Sequence, residues 1–152
     1  MRIKEVFLSC VSSVLLLFSS GCRQNADMPP VIVSKPVCLL ESVHDTFSYA
    51  GISFECHNTG SRQLSSIEVV FHVFSDASGG NPFYGSNVVK AEVPAVLQPG
   101  GTGTFEISLD GRLAFIPSEP FIIDCFYVSR AVFADGSEWS DPAGFYYAGS
   151  LP

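Results

Sequence analysis

Positive charge is scarce in this sequence. The 152 residues include 8 Lys and Arg against 15 Asp and Glu, which gives a formal net charge of -7 at pH 7. Nucleic acids and anionic lipid surfaces are bound through clustered cations, and the chain contains no such cluster. The composition therefore argues against both kinds of partner. The acidic residues form no run of like charge and are expected to favour solubility.

Motifs of catalysis and of metal binding are also missing. The sequence contains no Gly-x-Ser-x-Gly turn, no His-Glu-x-x-His and no Cys-x-x-Cys. The glycine-rich stretch at 100–103 enters a predicted strand, whereas phosphate binding of this kind uses the N-terminus of a helix. We therefore expect a protein that is not an enzyme and that holds no metal and no cofactor.

The N-terminal apolar run is too short to span a membrane. Val6–Phe18 has 13 residues, whereas a helix needs about 20 to cross the hydrocarbon core. The run follows the basic start at Arg2 and Lys4 and precedes small residues, which is the pattern of a secretory signal peptide. Residues 1–21 are therefore predicted to be a signal peptide, and the protein is predicted to be exported.

The signal peptide ends in Ser19-Ser20-Gly21-Cys22. This segment resembles the lipobox of bacterial lipoproteins, in which cleavage precedes a Cys that carries a thioether-linked diacylglycerol. Gly21 and Cys22 match its two most restrictive positions, whereas Ser19 stands where the family usually has Leu or another aliphatic residue. The resemblance implies that acyl chains such as palmitate on Cys22 anchor the protein to the cell membrane or outer membrane, facing the periplasm or the cell surface. The alternative is an ordinary small-x-small cleavage site, with Cys22 a plain thiol.

The remaining chain divides into a spacer and one domain. Residues 22–36 are polar and then proline-bearing, so they are predicted to form an extended, lipid-anchored tether that reaches roughly 40 Å. Residues 37–152 suffice for one domain with a hydrophobic core. Apolar and polar residues alternate there with a period of two, which is typical of β-strands. The predicted strands are Val37–His44, Gly51–Asn58, Ile67–Phe74, Phe83–Tyr84, Val88–Val93, Thr102–Leu109, Phe121–Phe133 and a last one at Trp139, with Tyr147 as its far limit.

The alternation also predicts which side chains face the core. The predicted inward residues of three strands are Ile52, Phe54, Cys56, Ile67, Val69, Phe71, Val73, Phe105, Ile107 and Leu109. The long apolar strand 121–133 is predicted to be central, and Asp124 and Arg130 break its alternation, which indicates a bulge. The crossover that precedes it is predicted to close one end of the core through its apolar residues, Leu113, Phe115 and Ile116.

Two turns have specific residue signals. Gln98–Gly101 is predicted to be a type II turn, because Pro99 fixes φ at its first central position and a glycine supplies positive φ at the second. Ala134–Ser137 contains Asp135-Gly136 between apolar segments, which favours a type I′ hairpin.

About seven strands without a convincing helix predict an all-β fold, an antiparallel β-sandwich. The order of strands resembles that of immunoglobulin-like and fibronectin-III-like domains, from about residue 37 to residue 147. The resemblance implies a disulfide between Cys56 and Cys125, where antibody domains have their bridge. The chain departs from the antibody pattern in having Ile123 where a corner tyrosine would lie. A Cys38–Cys56 pair and free thiols stay open as alternatives.

Exposed aromatic side chains are the candidates for partner binding. Tyr84, Trp139 and Tyr146 lie in weak or terminal segments, and aromatic residues on a rigid surface often anchor a partner. Packing on an edge strand is the alternative. His57 and His72 could approach each other and, like the carboxylates near Asp135, could contribute to a metal site, although neither group has a known ligand spacing.

The leading hypothesis is a lipid-anchored extracytoplasmic lipoprotein of the cell envelope. It would act as a non-catalytic binding or assembly module whose partner is another envelope protein or macromolecule. The alternative hypothesis is an envelope lipoprotein that binds a small ligand or a metal.

Overall fold

The computed structural model describes residues 28–75 and 79–147. The predicted signal peptide, Cys22 and most of the predicted tether lie outside these residues. The described residues form eight strands and one short 3-10 helix, η1 (Asp110–Arg112). The strands are β1 Val31–Val33, β2 Val37–Val43, β3 Thr46–Asn58, β4 Leu64–Phe74, β5 Val88–Leu97, β6 Thr102–Ser108, β7 Ile122–Phe133 and β8 Glu138–Ser140. Within these ranges, no helix has the length and apolarity needed to cross a membrane.

The strands form two antiparallel sheets, so the predicted β-sandwich is confirmed. In sheet A, β3 is central: β1 and β2 pair with successive parts of one of its edges, and β6 pairs with the other edge. In sheet B the order is β5-β4-β7-β8. The apolar strand β7 is internal to its sheet, as predicted.

The core lies between the two sheets and is built from alternating residues of their strands. The predicted inward residues of β3 and β4 are all buried, and those of β6 pack against them. Four aromatic rings run across the core: Phe71 of β4 contacts Phe126 of β7 at 5.6 Å between centroids, Phe126 contacts Phe54 of β3 at 4.9 Å, and Phe54 contacts Phe105 of β6 at 6.1 Å. Aromatic contacts therefore connect the two sheets.

The domain begins earlier than the sequence predicted. Residues 31–33 fall inside the expected tether, but they form β1, which pairs with β3 in the register Val31 to Asn58 and Val33 to Cys56. Val31 and Val33 are buried, because the apolar alternation of Val-Ile-Val matches a half-buried strand. The stretch that remains before the first strand is therefore shorter than the predicted tether.

The predicted irregularity of β7 is confirmed. Opposite β4, β7 has one extra residue between Asp124 and Tyr127 and another between Val128 and Arg130. Cys125 lies in the first bulge and adopts a positive φ of 51°. Bulges of this kind turn individual side chains away from the regular alternation, which explains why Cys125 is exposed although the strand is internal.

The two predicted turns have different outcomes. Gly100 has a φ of 74° and Gly101 N donates to Gln98 O at 2.8 Å, which confirms the type II turn. The hairpin at Asp135-Gly136 is present, but the predicted type I′ turn was wrong. Gly136 has a φ of 79° while Asp135 does not have a positive φ, and Gly136 N donates to Phe133 O. This is a type I turn followed by a left-handed glycine, and the Asp135 carboxylate stabilises it by accepting Ser137 N at 2.9 Å.

The two ends of the sandwich are distinct. The N-terminal end contains the start of β1 and the β3–β4, β5–β6 and β7–β8 connections. Thr59 at this end holds the incoming chain, because its Oγ1 donates to Pro29 O at 2.8 Å. The distal end contains the β2–β3 turn, the β4–β5 connection and the crossover between β6 and β7.

Candidate functional site

The distal end carries exposed apolar side chains. Phe83 forms an isolated antiparallel bridge with Leu113, and Tyr84 N donates to Arg112 O at 3.2 Å. Because neighbouring residues of an extended segment face opposite sides, burial of Phe83 leaves Tyr84 outside, with 85% of its surface exposed. Tyr84 is therefore one of the exposed aromatic residues, and its role in partner binding stays a prediction.

The predicted closure of the core by the crossover is only partly correct. Leu113 packs against the core, but Phe115 is about half exposed and Ile116 is 72% exposed. The ring of Phe83 fills that position instead, in edge contact with Phe121 at 6.4 Å between centroids. Phe115 lines a hollow of about 270 Å³ together with Ser75, Pro117, Ser118, Glu119 and Phe121.

The other two predicted aromatic residues form a structural pair. Trp139 of β8 lies opposite Ala131 of β7 and packs against the core, and its ring contacts Tyr146 at 6.1 Å between centroids. The buried Asp141 fixes this segment by accepting Tyr146 N at 3.0 Å. Trp139 and Tyr146 are half-buried, and they lie along the edge of β7 rather than beside Tyr84. The last strand ends at Ser140, before the predicted limit.

A second hollow, which we call the sheet A hollow, lies on the outer face of sheet A. It measures about 410 Å³ and is lined by Ser34, Lys35, Val37, Leu39, Ser53, Phe54, Glu55 and Thr104. The gap between β1 and β2 creates it, since the chain there pairs with β3 only through Ser34. Ser34 N donates to Glu55 O at 2.9 Å, and Ser34 Oγ accepts Glu55 N at 2.9 Å.

Acidic residues surround the outer face of sheet A. Tyr49 lies beside the sheet A hollow, opposite Glu41 of β2, and its ring covers Gly51 where a side chain would otherwise lie. Burial raises the pKa of the Tyr49 hydroxyl, and the carboxylates of Glu106, Asp110 and Glu41 raise it further. Glu41 and Glu106 lie on this face opposite β3 and place negative charge there.

The outer face of sheet B has paired charges instead. Lys90 Nζ lies 3.0 Å from Glu68 Oε1, and Arg130 lies 3.6 Å from the Glu138 carboxylate. Ser129 Oγ donates to Glu68 Oε1 at 2.6 Å, and this hydrogen bond is the main reason that the pKa of Glu68 is lowered. Burial opposes the shift, while Lys90 supports it.

The cysteines do not form the bridge that the resemblance implied. Cys38, Cys56 and Cys125 are free thiols. Cys56 is buried in the core, whereas the bulge of β7 places Cys125 on the surface. Cys38 lies opposite Ile52 rather than Cys56, and its sulfur accepts Phe121 N at 3.2 Å. Neither the Cys56–Cys125 nor the Cys38–Cys56 pair is formed.

The candidate metal ligands do not come together. His57 lies on β3 at the N-terminal end, whereas His72 lies on β4 close to the distal end, in the other sheet. Asp135 pairs with Arg62 at 3.9 Å, and Asp141 is bound to Tyr146. Among the described residues, no group of three His, Cys, Asp or Glu side chains is placed to hold a metal ion.

No family model matches the chain, and neither a curated protein nor a solved structure matches it.

The sequence indicated Tyr84 as a candidate surface residue, but the sheet A hollow was not predicted from it. The signal for it was present in Val37-Cys38-Leu39-Leu40, where β2 is apolar on both faces. Cys38 and Leu40 pack against the core, so the apolar Val37 and Leu39 are left on the outside. An edge strand that is apolar on both faces indicates a surface contact.

Proposed function

We propose that the protein is an exported lipoprotein of the cell envelope, anchored through acyl chains on Cys22, and that its distal end binds another envelope protein. The membrane would be the cell membrane or the outer membrane, and the domain would face the periplasm or the cell surface. The proposed role is non-catalytic binding or assembly.

One arrangement carries this proposal. The chain enters the sandwich beside Thr59 at the N-terminal end, whereas Tyr84 and Ile116 are exposed at the distal end. An anchor that precedes β1 would therefore hold the domain with these apolar side chains pointing away from the bilayer. Each buried methylene contributes about 0.8 kcal/mol, so two or three acyl chains suffice for stable attachment. Exposed aromatic and aliphatic residues on a rigid end are suited to bind a protein partner.

The anchor is tested by the intact mass of protein purified from its native membrane. We expect the mature chain to begin at Cys22 with the added mass of acyl chains. A Cys22→Ala variant is expected to lose this mass and to leave the membrane fraction. Native material that begins with an unmodified thiol and is recovered free of lipid would refute the anchor.

The distal end is tested by site-specific photo-crosslinking in cells. A benzophenone amino acid placed at position 84 or position 116 is expected to crosslink to the same envelope protein. The matched control is position 96, because Val96 is 69% exposed but lies on β5 near the N-terminal end. Crosslinks at position 96 to the same partner, or none at positions 84 and 116, would contradict the proposal.

A further inference from the structure

Val37 and Leu39, two apolar residues that line the sheet A hollow, are not part of the hydrophobic core. Val37 is 63% exposed, and Leu39 lies two residues further along the same face of β2. Ser53, the partner of Val37 on β3, is small and forms the floor beside these apolar walls. The ring of Tyr49 over Gly51 closes one end of this floor. The result is a trough along β3 that can receive side chains from outside.

Carboxylates stand at both ends of the trough. Glu55 lines the sheet A hollow at one end, and Glu41 lies opposite Tyr49 at the other. Glu106 stands on β6, across from Ser53. None of these three forms an ion pair with another described residue, whereas Glu68 and Glu138 of sheet B do. Lys35 is the cation that lines the hollow.

The spacing between the carboxylates, which extends past the ring of Tyr49 to Glu41, defines the ligand. The two acidic ends correspond to the rows of Glu55 and Tyr49, which are six residues apart on β3 and therefore about 20 Å apart. An extended polypeptide covers the same distance in six residues, and its alternate side chains face one side. Cations at positions 1 and 7 would reach the carboxylates, while apolar side chains at positions 3 and 5 would contact Val37, Leu39 and Tyr49.

We propose that the sheet A hollow and the trough beside it bind an extended segment of another polypeptide in which aliphatic residues lie between two Lys or Arg residues. The apolar walls supply contact area, and the unpaired carboxylates select a basic segment over an acidic one. This surface shares no residue with Tyr84 and Ile116, the exposed side chains proposed above to bind a partner at the distal end.

The test uses a fluorescent peptide, Lys-Ser-Leu-Ser-Leu-Ser-Lys, and the full mature chain in detergent micelles. Fluorescence polarisation is expected to show saturable binding that weakens as salt rises, because the carboxylates are exposed. Glu55→Gln, Glu41→Gln and Val37→Ser are each expected to weaken binding by about two- to fivefold. Glu138→Gln removes the same charge from the other sheet and is expected to leave binding unchanged.

Several outcomes would overturn the proposal. The first is that the acidic peptide Glu-Ser-Leu-Ser-Leu-Ser-Glu binds as tightly as the basic peptide. The second is that the basic peptide shows no saturable binding. The third is that Glu55→Gln and Glu138→Gln weaken peptide binding equally. Self-association of the protein that Val37→Ser abolishes would assign this face to a second copy and would also overturn it. Tyr84→Ser is expected to leave peptide binding unchanged, so a failure here is distinguishable from a failure at the distal end.

Discussion

At the scale of single residues, Asn58 holds the N-terminal end of the sandwich together. Its side chain is fully buried. Nδ2 donates to Arg62 O at 2.8 Å and to Leu97 O at 3.0 Å, and Oδ1 accepts Gly60 N at 3.1 Å. One amide therefore connects the β3–β4 turn to the end of β5, and its hydrogen-bonding groups are matched by those around it.

We expect Asn58→Ala to lower the free energy of unfolding by about 2–4 kcal/mol, because it removes the side-chain donor of the Arg62 and Leu97 carbonyls at a buried position, while Gly60 N keeps Pro30 O as an acceptor. Urea denaturation measures this change. Asn81→Ala is the control, since Asn81 also bonds Gly85 O and Phe83 N but is exposed. A loss as large in Asn81→Ala as in Asn58→Ala would show that burial does not determine the effect.

The cysteines differ in their surroundings and should differ in reactivity. Burial raises the pKa of Cys56 to about 12. Burial and the neighbouring Asp124 also raise the pKa of Cys125, but this thiol is exposed. Since the thiolate is the reactive form, a higher pH should speed modification of Cys125 while Cys56 stays protonated and enclosed.

We therefore expect a maleimide at about pH 8 to modify Cys125 in the native protein, and Cys56 only after unfolding. Peptide mass spectrometry after different reaction times measures both rates. A Cys56–Cys125 disulfide in native material, or equal rates at the two sites, would contradict the structure. The antibody-type bridge could not be ruled out from the sequence, because a strand pattern does not reveal where a bulge turns one side chain outward.

At the scale of secondary structure, the tightest hairpin has an unusual sequence. His44 and Asp45 have positive φ values of 51° and 60° and connect β2 to β3, with Val43 opposite Thr46. Positive φ at both central residues defines a type I′ turn. Histidine and aspartate tolerate this conformation better than most residues but less well than Asn-Gly.

The double substitution His44→Asn and Asp45→Gly should stabilise the protein. We expect an increase of about 0.5–1 kcal/mol in the free energy of unfolding, because the new pair prefers the conformation that the turn already has. Chemical denaturation tests this expectation. Gly136→Ala is expected to have the opposite effect, since Gly136 also has positive φ but alanine disfavours it. A decrease in the first variant would show that the turn is not of type I′.

Most strands could be predicted because a strand with one buried face has alternating apolar and polar residues in its sequence. Two differences have physical causes. β5 continues to Leu97 past Pro94, although the sequence prediction ended it at Val93. It is the edge strand of sheet B, and an edge strand tolerates a proline because its outer amides need no partner. β1 was missed because it lies between Pro30 and Pro36 and has only three residues.

At the scale of the whole molecule, the aromatic contacts across the core should make the two sheets unfold together. Phe54 is buried and contacts Phe126 of the opposite sheet and Phe105 of its own. We expect Phe54→Ala to lower the free energy of unfolding by about 3–5 kcal/mol. Phe145→Ala is expected to change it by less than about 0.5 kcal/mol, because Phe145 is largely exposed.

Coincident transitions in far-UV circular dichroism and in tryptophan fluorescence would show that the sheets unfold as one unit. Trp139 reports on sheet B, and the dichroism reports on both sheets. Separate transitions in the Phe54→Ala variant alone would mean that Phe54 is what couples the sheets. Separate transitions in the unchanged protein would contradict the coupling.

The candidate surfaces are harder to predict from the sequence than the strands are, because they form only when separate strands come together in the fold. Tyr84 was identifiable because it lies in a short segment between turns. The trough of sheet A was not, because Val37, Glu55 and Glu106 come from three strands, and only the pairing register brings them to one face. Trp139 looked similar to Tyr84 in sequence, but the neighbouring strand and Tyr146 enclose it.

The early start of β1 limits how far the protein could reach. On the proposed anchor, six residues, Arg23 to Met28, separate the lipid from Pro29, which Thr59 holds, and they would span about 19 Å when extended. The longest strand, β3, has 13 residues and measures about 43 Å. The exposed apolar side chains of the distal end could therefore lie up to roughly 60 Å from the attachment point. A partner attached to the opposite side of a compartment wider than this distance would itself have to extend toward the domain.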